Sequence, residues 1–195
     1  MQRRVFLTAL PGLAFAGPAL ATMDKCGVFL QAAHEQIRHA VSYDSVYTRI
    51  PYAMGDVAAN KGVCTDVVIR AYRAVSIDLQ KLVHEDMTAH FGLYPKSWGL
   101  KAPDSNIDHR RVPNLRVFLG RFGRSLPITQ KPEDYAAGDL VTYRLPGNHP
   151  HIAIVSDERA MFDRRPMIIH NIGWGPKQED SLFGAEITGH FRYGV

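Results

Sequence analysis

Apolar side chains along this chain change their period once, roughly two-thirds of the way through, and that change sets the fold class. Phe29, Ala33, Ile37 and Val41 recur every fourth residue and predict an amphipathic helix from Lys25 to Val41. A polar, tyrosine-rich loop follows from Ser42 to Gly62, broken by Pro51, Gly55 and Asn60. A second helix begins at Cys64, with Val63, Val67, Ala71 and Val75 on one face and Val68 and Tyr72 widening it. Leu79, Val83, Met87 and Phe91 predict a short helix within Asp78 to Phe91. A long loop with Pro95, Gly99 and Pro103 comes next. Pro113 then opens a helix striped by Leu115, Phe118, Leu119 and Phe122 and stopped by Gly123.

The last third alternates instead. Strands are predicted at Asp139 to Arg144, His151 to Ser156, Met167 to His170 and Glu186 to Tyr193, with turns at Pro146-Gly147-Asn148, Asp163 and Gly173. Helices first and consecutive strands after them predict an α+β domain, N-terminal helices packed on an antiparallel sheet, as a single unit over residues 22–195. No internal repeat or low-complexity segment interrupts it.

Residues 1–21 read differently. Arg3 and Arg4 precede an apolar run from Val5 to Leu20, and Ala19-Leu20-Ala21 supplies small residues where a signal peptidase cuts. The run is short and broken by Pro11, Gly12 and Pro18, which speaks against a membrane-spanning helix and for a cleaved signal peptide. Arg3-Arg4-Val5-Phe6-Leu7 also resembles a twin-arginine export signal, so both export routes stay open. The expected location is periplasmic or secreted, with no stable membrane insertion after cleavage. The formal charge is +4, and Arg3 and Arg4 leave with the signal. What remains is weak and scattered, which argues against a nucleic-acid partner.

Chemistry enters with Cys64. At the first turn of a helix, unpaired N–H groups and the positive end of the helix dipole favour a thiolate. The plainer reading is a disulfide with Cys26, the other cysteine of the mature chain, or a small buried residue. His151 opens the strand His-Ile-Ala-Ile-Val, where alternation sets His151, Ala153 and Val155 on one face. A base in that place is held rigidly. His170 ends the next apolar strand and is the first candidate to orient His151, with Asn171 the second. His109, Arg110 and Arg111 offer a fork for a substrate carboxylate, or else a solvated charge run. Trp98 and Trp174 are expected in the core rather than a cleft. The nine histidines lack metal-site spacing, so no metal is assigned, and no cofactor is required.

Several segments resemble NlpC-type (NlpC/p60) papain-like cysteine peptidases. They are Pro51-Tyr52-Ala53-Met54-Gly55 followed by Gly62-Val63-Cys64-Thr65-Asp66, then Ala137-Gly138-Asp139-Leu140-Val141, His151-Ile152-Ala153-Ile154-Val155 and Ile169-His170. The resemblance implies a papain-like fold with Cys64 as nucleophile, His151 as base, His170 as third member and Tyr52 in support. Two departures stand out. Thr65-Asp66 replaces the family's Ser-Gly, and the stretch from Leu79 to Arg124 is longer than in compact members. A carboxylate at Asp66 raises a neighbouring thiol's pKa, so Asp66 is expected to turn away and pair with an arginine near His109. Val63-Cys64-Thr65-Asp66-Val67-Val68, Asn106 to Leu115 and His170-Asn171-Ile172-Gly173 resemble a narrower bacterial group, the domain of unknown function DUF1287. Together these imply an exported cysteine hydrolase acting on an amide, with peptidoglycan stem peptide as the leading substrate. A same-fold amidase, thioesterase or acyltransferase, and a binding module bearing a Cys26–Cys64 disulfide, are the alternatives.

Overall fold

The computed structural model describes residues 24–195, so the signal read at residues 1–21 lies outside the described residues. Helix α1 spans Lys25–Ile37 and starts where Asp24 Oδ1 accepts from Gly27 N at 2.7 Å. It stops short of the predicted Val41. Arg38, His39 and Ala40 are exposed, so that stretch has no surface to bury against. The chain instead pairs β1, Ser42–Tyr43, in parallel with β2, Lys61–Gly62. This short ribbon closes the long polar loop directly ahead of α2, Cys64–Ala74. Residues 64–69 of α2 are all buried, which makes it the central helix. Helix α3, Leu79–His90, is capped by Asp78, whose Oδ1 accepts from Lys81 N at 3.2 Å. Helix α4, Val112–Phe122, carries Pro113 in its first turn and ends at Gly123, as its sequence predicts.

The remaining strands are β3 (Arg124–Ser125), β4 (Leu140–Leu145), β5 (His149–Arg159), β6 (Pro166–Asn171), β7 (Pro176–Glu179) and β8 (Glu186–Arg192). They form a six-stranded sheet in the order β3-β8-β4-β5-β6-β7, with every pairing antiparallel. The fold is therefore mixed α+β, with four α-helices among the described residues. Strands β3 and β7 escaped the sequence reading because they are short, polar edges with no alternation to detect.

The sheet buries both faces. Ile152, Ile154 and Ile169 meet Phe29, Val68, Tyr72, Leu115 and Phe118 in the helix-side core. Val141, Tyr143, Ala153, Val155 and Ile168 meet Tyr135, Leu182 and Ile187 in a second core. A buried ion cluster ties β8 to the turn before β4. Asp139 accepts from Arg192 Nε at 2.6 Å and contacts His190 Nε2 at 2.9 Å. The turn needs Gly138, at φ +86°, because a Cβ there would lie 2.8 Å from Cys26 Sγ.

Candidate active site

The turn that presents Cys64 is built around Asp66. Val63, the N-cap residue, has no polar side chain, and the Asp66 carboxylate takes the capping role from within the helix. Its Oδ2 accepts from Val63 N at 2.7 Å, and Arg110 grips both oxygens, Nε to Oδ1 and Nη2 to Oδ2, each at 2.9 Å. Both side chains are 2% exposed. Arg110 also donates to Asp44 O at 3.3 Å, and Thr65 Oγ1 to Arg110 O at 3.1 Å. From the sheet, Asn171 Nδ2 donates to Gly62 O at 3.3 Å. The start of α2 is thus fastened on three sides by buried polar bonds.

Cys64 is 4% exposed and a free thiol, as is Cys26, so no disulfide joins them. Cys26 Sγ donates instead to Ala137 O. Burial pushes the Cys64 thiol up to about 11, and the Asp66 charge adds to the rise. Backbone amides at Ile152, Thr65 and Cys64 itself work the other way. Ile152 follows His151 directly on β5.

His151 stands in a chain of three side chains. Its Nε2 lies 2.9 Å from His170 Nδ1, and His170 Nε2 lies 2.7 Å from Glu179 Oε2 on β7. Burial, with the neighbouring His170 adding to it, lowers His151 to about 3, so its ring is neutral near pH 7. Burial lowers His170 as well, and Glu179 opposes that fall. Glu179 itself sits below the usual carboxylate range: burial works to raise it, and bonds from Lys177 and His170 outweigh that. The protons can then be assigned along the chain. An ionised carboxylate only accepts, so His170 carries its proton on Nε2 and accepts at Nδ1. His151 must then carry its proton on Nε2, which leaves Nδ1 as the basic lone pair.

The structure thus brings His151 and His170 together and adds Glu179. It does not join Cys64 to His151 by a direct hydrogen bond. Alternation in β5 is the reason. Ile152 and Ile154 face the helix-side core with Cys64, while His151 shares its face with Tyr143 and His170. Asn171 does not touch His151 in the described hydrogen bonds; it supports the Cys64 turn.

Other placements differ from the sequence reading. Tyr52 is half-exposed and sits edge-on to His84, ring centroids 5.4 Å apart, outside the wall of the Cys64 cavity. Tyr43 takes that place, its phenol pushed up to about 12 by burial and by the charges of Cys64 and Asp66. Arg110 is not free for substrate, because Asp66 holds it. His109 is not either: it is 1% exposed, and burial lowers its pKa to about 3. Of the three, Arg111 alone shares with Cys64 the wall of a cavity of about 320 Å³ without a carboxylate gripping its guanidinium. Trp98 and Trp174 are not core residues but 55% and 87% exposed, and Trp98 lines this cavity. Glu179 and the Ile152 N–H were missed. A polar edge residue and a backbone group carry no sequence signal, although Glu179 shares a face with Lys177, which pairs with His170. Among the described residues, no group of three or more His, Cys, Asp or Glu is arranged to hold a metal ion.

Residues 30–193 match the family described as "Domain of unknown function (DUF1287)", and the chain belongs to that family. A relative in Escherichia coli (strain K12), "Uncharacterized protein YijF", is 51% identical over 163 residues, covering 84% of this chain and 79% of the relative.

Proposed function

We propose that this protein is an exported cysteine hydrolase of papain-like, NlpC/p60 type that cleaves an amide bond, with peptidoglycan stem peptide as the leading substrate. The observation that carries the reading is the proton arrangement of His151. The His170–Glu179 chain leaves its Nδ1 as a free base at the head of β5. Pro150, the residue before His151, lines the Cys64 cavity, so the head of β5 borders it, and the mechanism requires the His151 ring to turn round that end of the strand to reach Sγ.

The chemistry follows from that pair. Sγ attacks the carbonyl carbon as its proton passes to His151 Nδ1. The first N–H groups of α2, at Cys64 and Thr65, have no partner within the helix and face the developing oxyanion. The tetrahedral intermediate expels the amine, which takes the proton from Nδ1. Water then attacks the thioester, gives its proton to the same nitrogen, and releases the acid and the thiol. His170 and Glu179 hold the ring in the one tautomer that can do this. The reaction needs no cofactor. Export and a wall peptide substrate rest on the signal-like N-terminus and on the resemblance to wall peptidases.

The test is incubation of the mature protein and its Cys64→Ala variant with defined cell-wall fragments and with unrelated amides, the products identified by mass. Cleavage of wall fragments by the first protein alone supports the reading. Equal activity in both proteins ends the cysteine mechanism, and cleavage of unrelated amides only ends the substrate assignment.

A further inference from the structure

Arg111 is the one cation on the Cys64 cavity that the described residues leave without hydrogen bonds. Its guanidinium carbon lies 4.4 Å from the centroid of the Trp98 ring, and its side chain is 19% exposed. Its nearest carboxylate oxygen, Asp108 Oδ1, is 4.0 Å from Nη1, too far for a hydrogen bond. Both of those atoms are shut off from solvent and lack a hydrogen bond. Nε and Nη2 have no hydrogen-bond partner among the described residues and are not shut off in this way, so they are the donors open to a ligand on the cavity side.

Its neighbours do not share this condition. Arg110 is held by Asp66. A second cavity, of about 400 Å³, shares Trp98, Pro113 and Pro150 with the first, and its arginines have partners. Arg116 donates to Thr188 O at 2.8 Å, and Arg144 pairs with Glu186 at 3.4 Å. The two cavities meet at the exposed indole of Trp98, whose backbone sits at φ +67°. A side chain in that conformation is held by its contacts, and stacking on Arg111 is one of them.

We infer that Arg111, covered by Trp98, is an anion subsite that reads a carboxylate on the substrate next to the carbonyl attacked by Cys64. The inference rests on the hydrolase reading for its catalytic meaning, though the binding site itself does not. A carboxylate would satisfy two guanidinium donors at once in fork geometry, which a carboxamide cannot match. The substrate class is an acidic peptide laid along the joined cavities.

The experiment measures binding without turnover, in Cys64→Ala protein carrying Trp174→Phe, so that Trp98 is the single indole reporter, since the chain has two tryptophans. The probes are acetylated tripeptides identical except for glutamate against glutamine, in both configurations. Tighter binding of a glutamate peptide, by roughly tenfold or more, with a change in Trp98 emission is expected. Arg111→Gln should erase that preference, and Arg111→Lys should keep part of it. Trp98→Phe, an exposed change that leaves the core intact, is followed by calorimetry and should reduce the preference. An unchanged preference in Arg111→Gln, or none in the parent, overturns the inference. Carboxylate-selective binding lost in Arg111→Gln, together with no hydrolysis by the Cys64 protein, keeps the subsite and removes the hydrolase reading.

Discussion

Replacing Asp66 by asparagine isolates the role of the buried ion pair beneath the nucleophile. The carboxylate meets three donors, Val63 N, Arg110 Nε and Arg110 Nη2, all within 2.9 Å. Asparagine keeps one acceptor oxygen and replaces the other with an amino group that repels the guanidinium. Arg110 is then a buried cation without its counter-charge, a loss of about 3–5 kcal/mol when one partner of a buried pair is removed. Domain stabilities are about 5–15 kcal/mol, so about a fifth or more of the total is at stake. Urea unfolding of Asp66→Asn should show a midpoint shift of that size. Asp66→Asn combined with Arg110→Met removes both charges and should lose markedly less than the single change, because nothing buried is left unpaired. The thiol of Cys64 responds oppositely. Asp66 raises its pKa, so the variant's thiol should titrate slightly lower. Unchanged stability with a large fall in the Cys64 pKa would refute the argument, for it would show that Asp66 serves the thiol and not the fold.

Three further outcomes follow from the same geometry. In the proposed mechanism Cys64 and His151 act as a unit, so His151→Ala should cost nearly as much activity as Cys64→Ala; turnover of defined wall fragments measures it. Glu179→Gln can donate to His170 Nε2 and so permits the other tautomer. It should lower kcat and move its pH profile while KM stays nearly constant, and a change in KM alone would contradict the tautomer assignment. Thermal or urea stability should fall as the pH drops below about 6.5, because His109 and His151 stay neutral in the fold down to about 3 while the unfolded chain takes up protons. Their folded pKa values lie below the unfolded value, so their contribution is complete above it and shrinks toward acid, at about 1.4 kcal/mol per pH unit for each ring. His109→Gln should reduce that slope by one proton if it folds, and direct proton counting by calorimetry checks the same quantity in the unaltered protein.

The sequence exposed the parts of this fold that obey a period and hid the parts that depend on partners. Leu115, Phe118 and Leu119 marked α4, and the His151 to Val155 alternation marked β5, because burial on one face dictates residue type. The end of α1 was hidden because Val41 continues the stripe while the chain turns to pair β1 with β2. The site divides in the same way. His151 and His170 stood out as histidines on apolar strands. Yet strand register decides that Nε2 of one meets Nδ1 of the other, and no residue type encodes register. Adjacent His109, Arg110 and Arg111 looked like one carboxylate receptor. A short helical turn over Asp108–Arg110 separates them, sending His109 and Arg110 inward and leaving Arg111 on the cavity.

The resting state of Cys64 and His151 bears on how the proposed hydrolase would work. A thiolate–imidazolium pair requires the base to hold a proton more tightly than the thiol does. Here the order is reversed: the thiol sits near 11 and His151 near 3, both moved chiefly by burial. Both groups are therefore neutral at rest, and in the proposed mechanism the proton moves only as the carbonyl is attacked. Such a site is quiet toward general electrophiles and gains reactivity from what the substrate brings. In the proposed mechanism a carboxylate on Arg111 excludes water from the cavity, and by neutralising the guanidinium it keeps the thiol protonated until attack. The oxyanion would form at the start of α2, whose first N–H groups lack partners within the helix. On that reading substrate recognition places the carbonyl for attack on a thiol that stays protonated until then, which would let the proposed exported hydrolase ignore most of the amides and electrophiles around it.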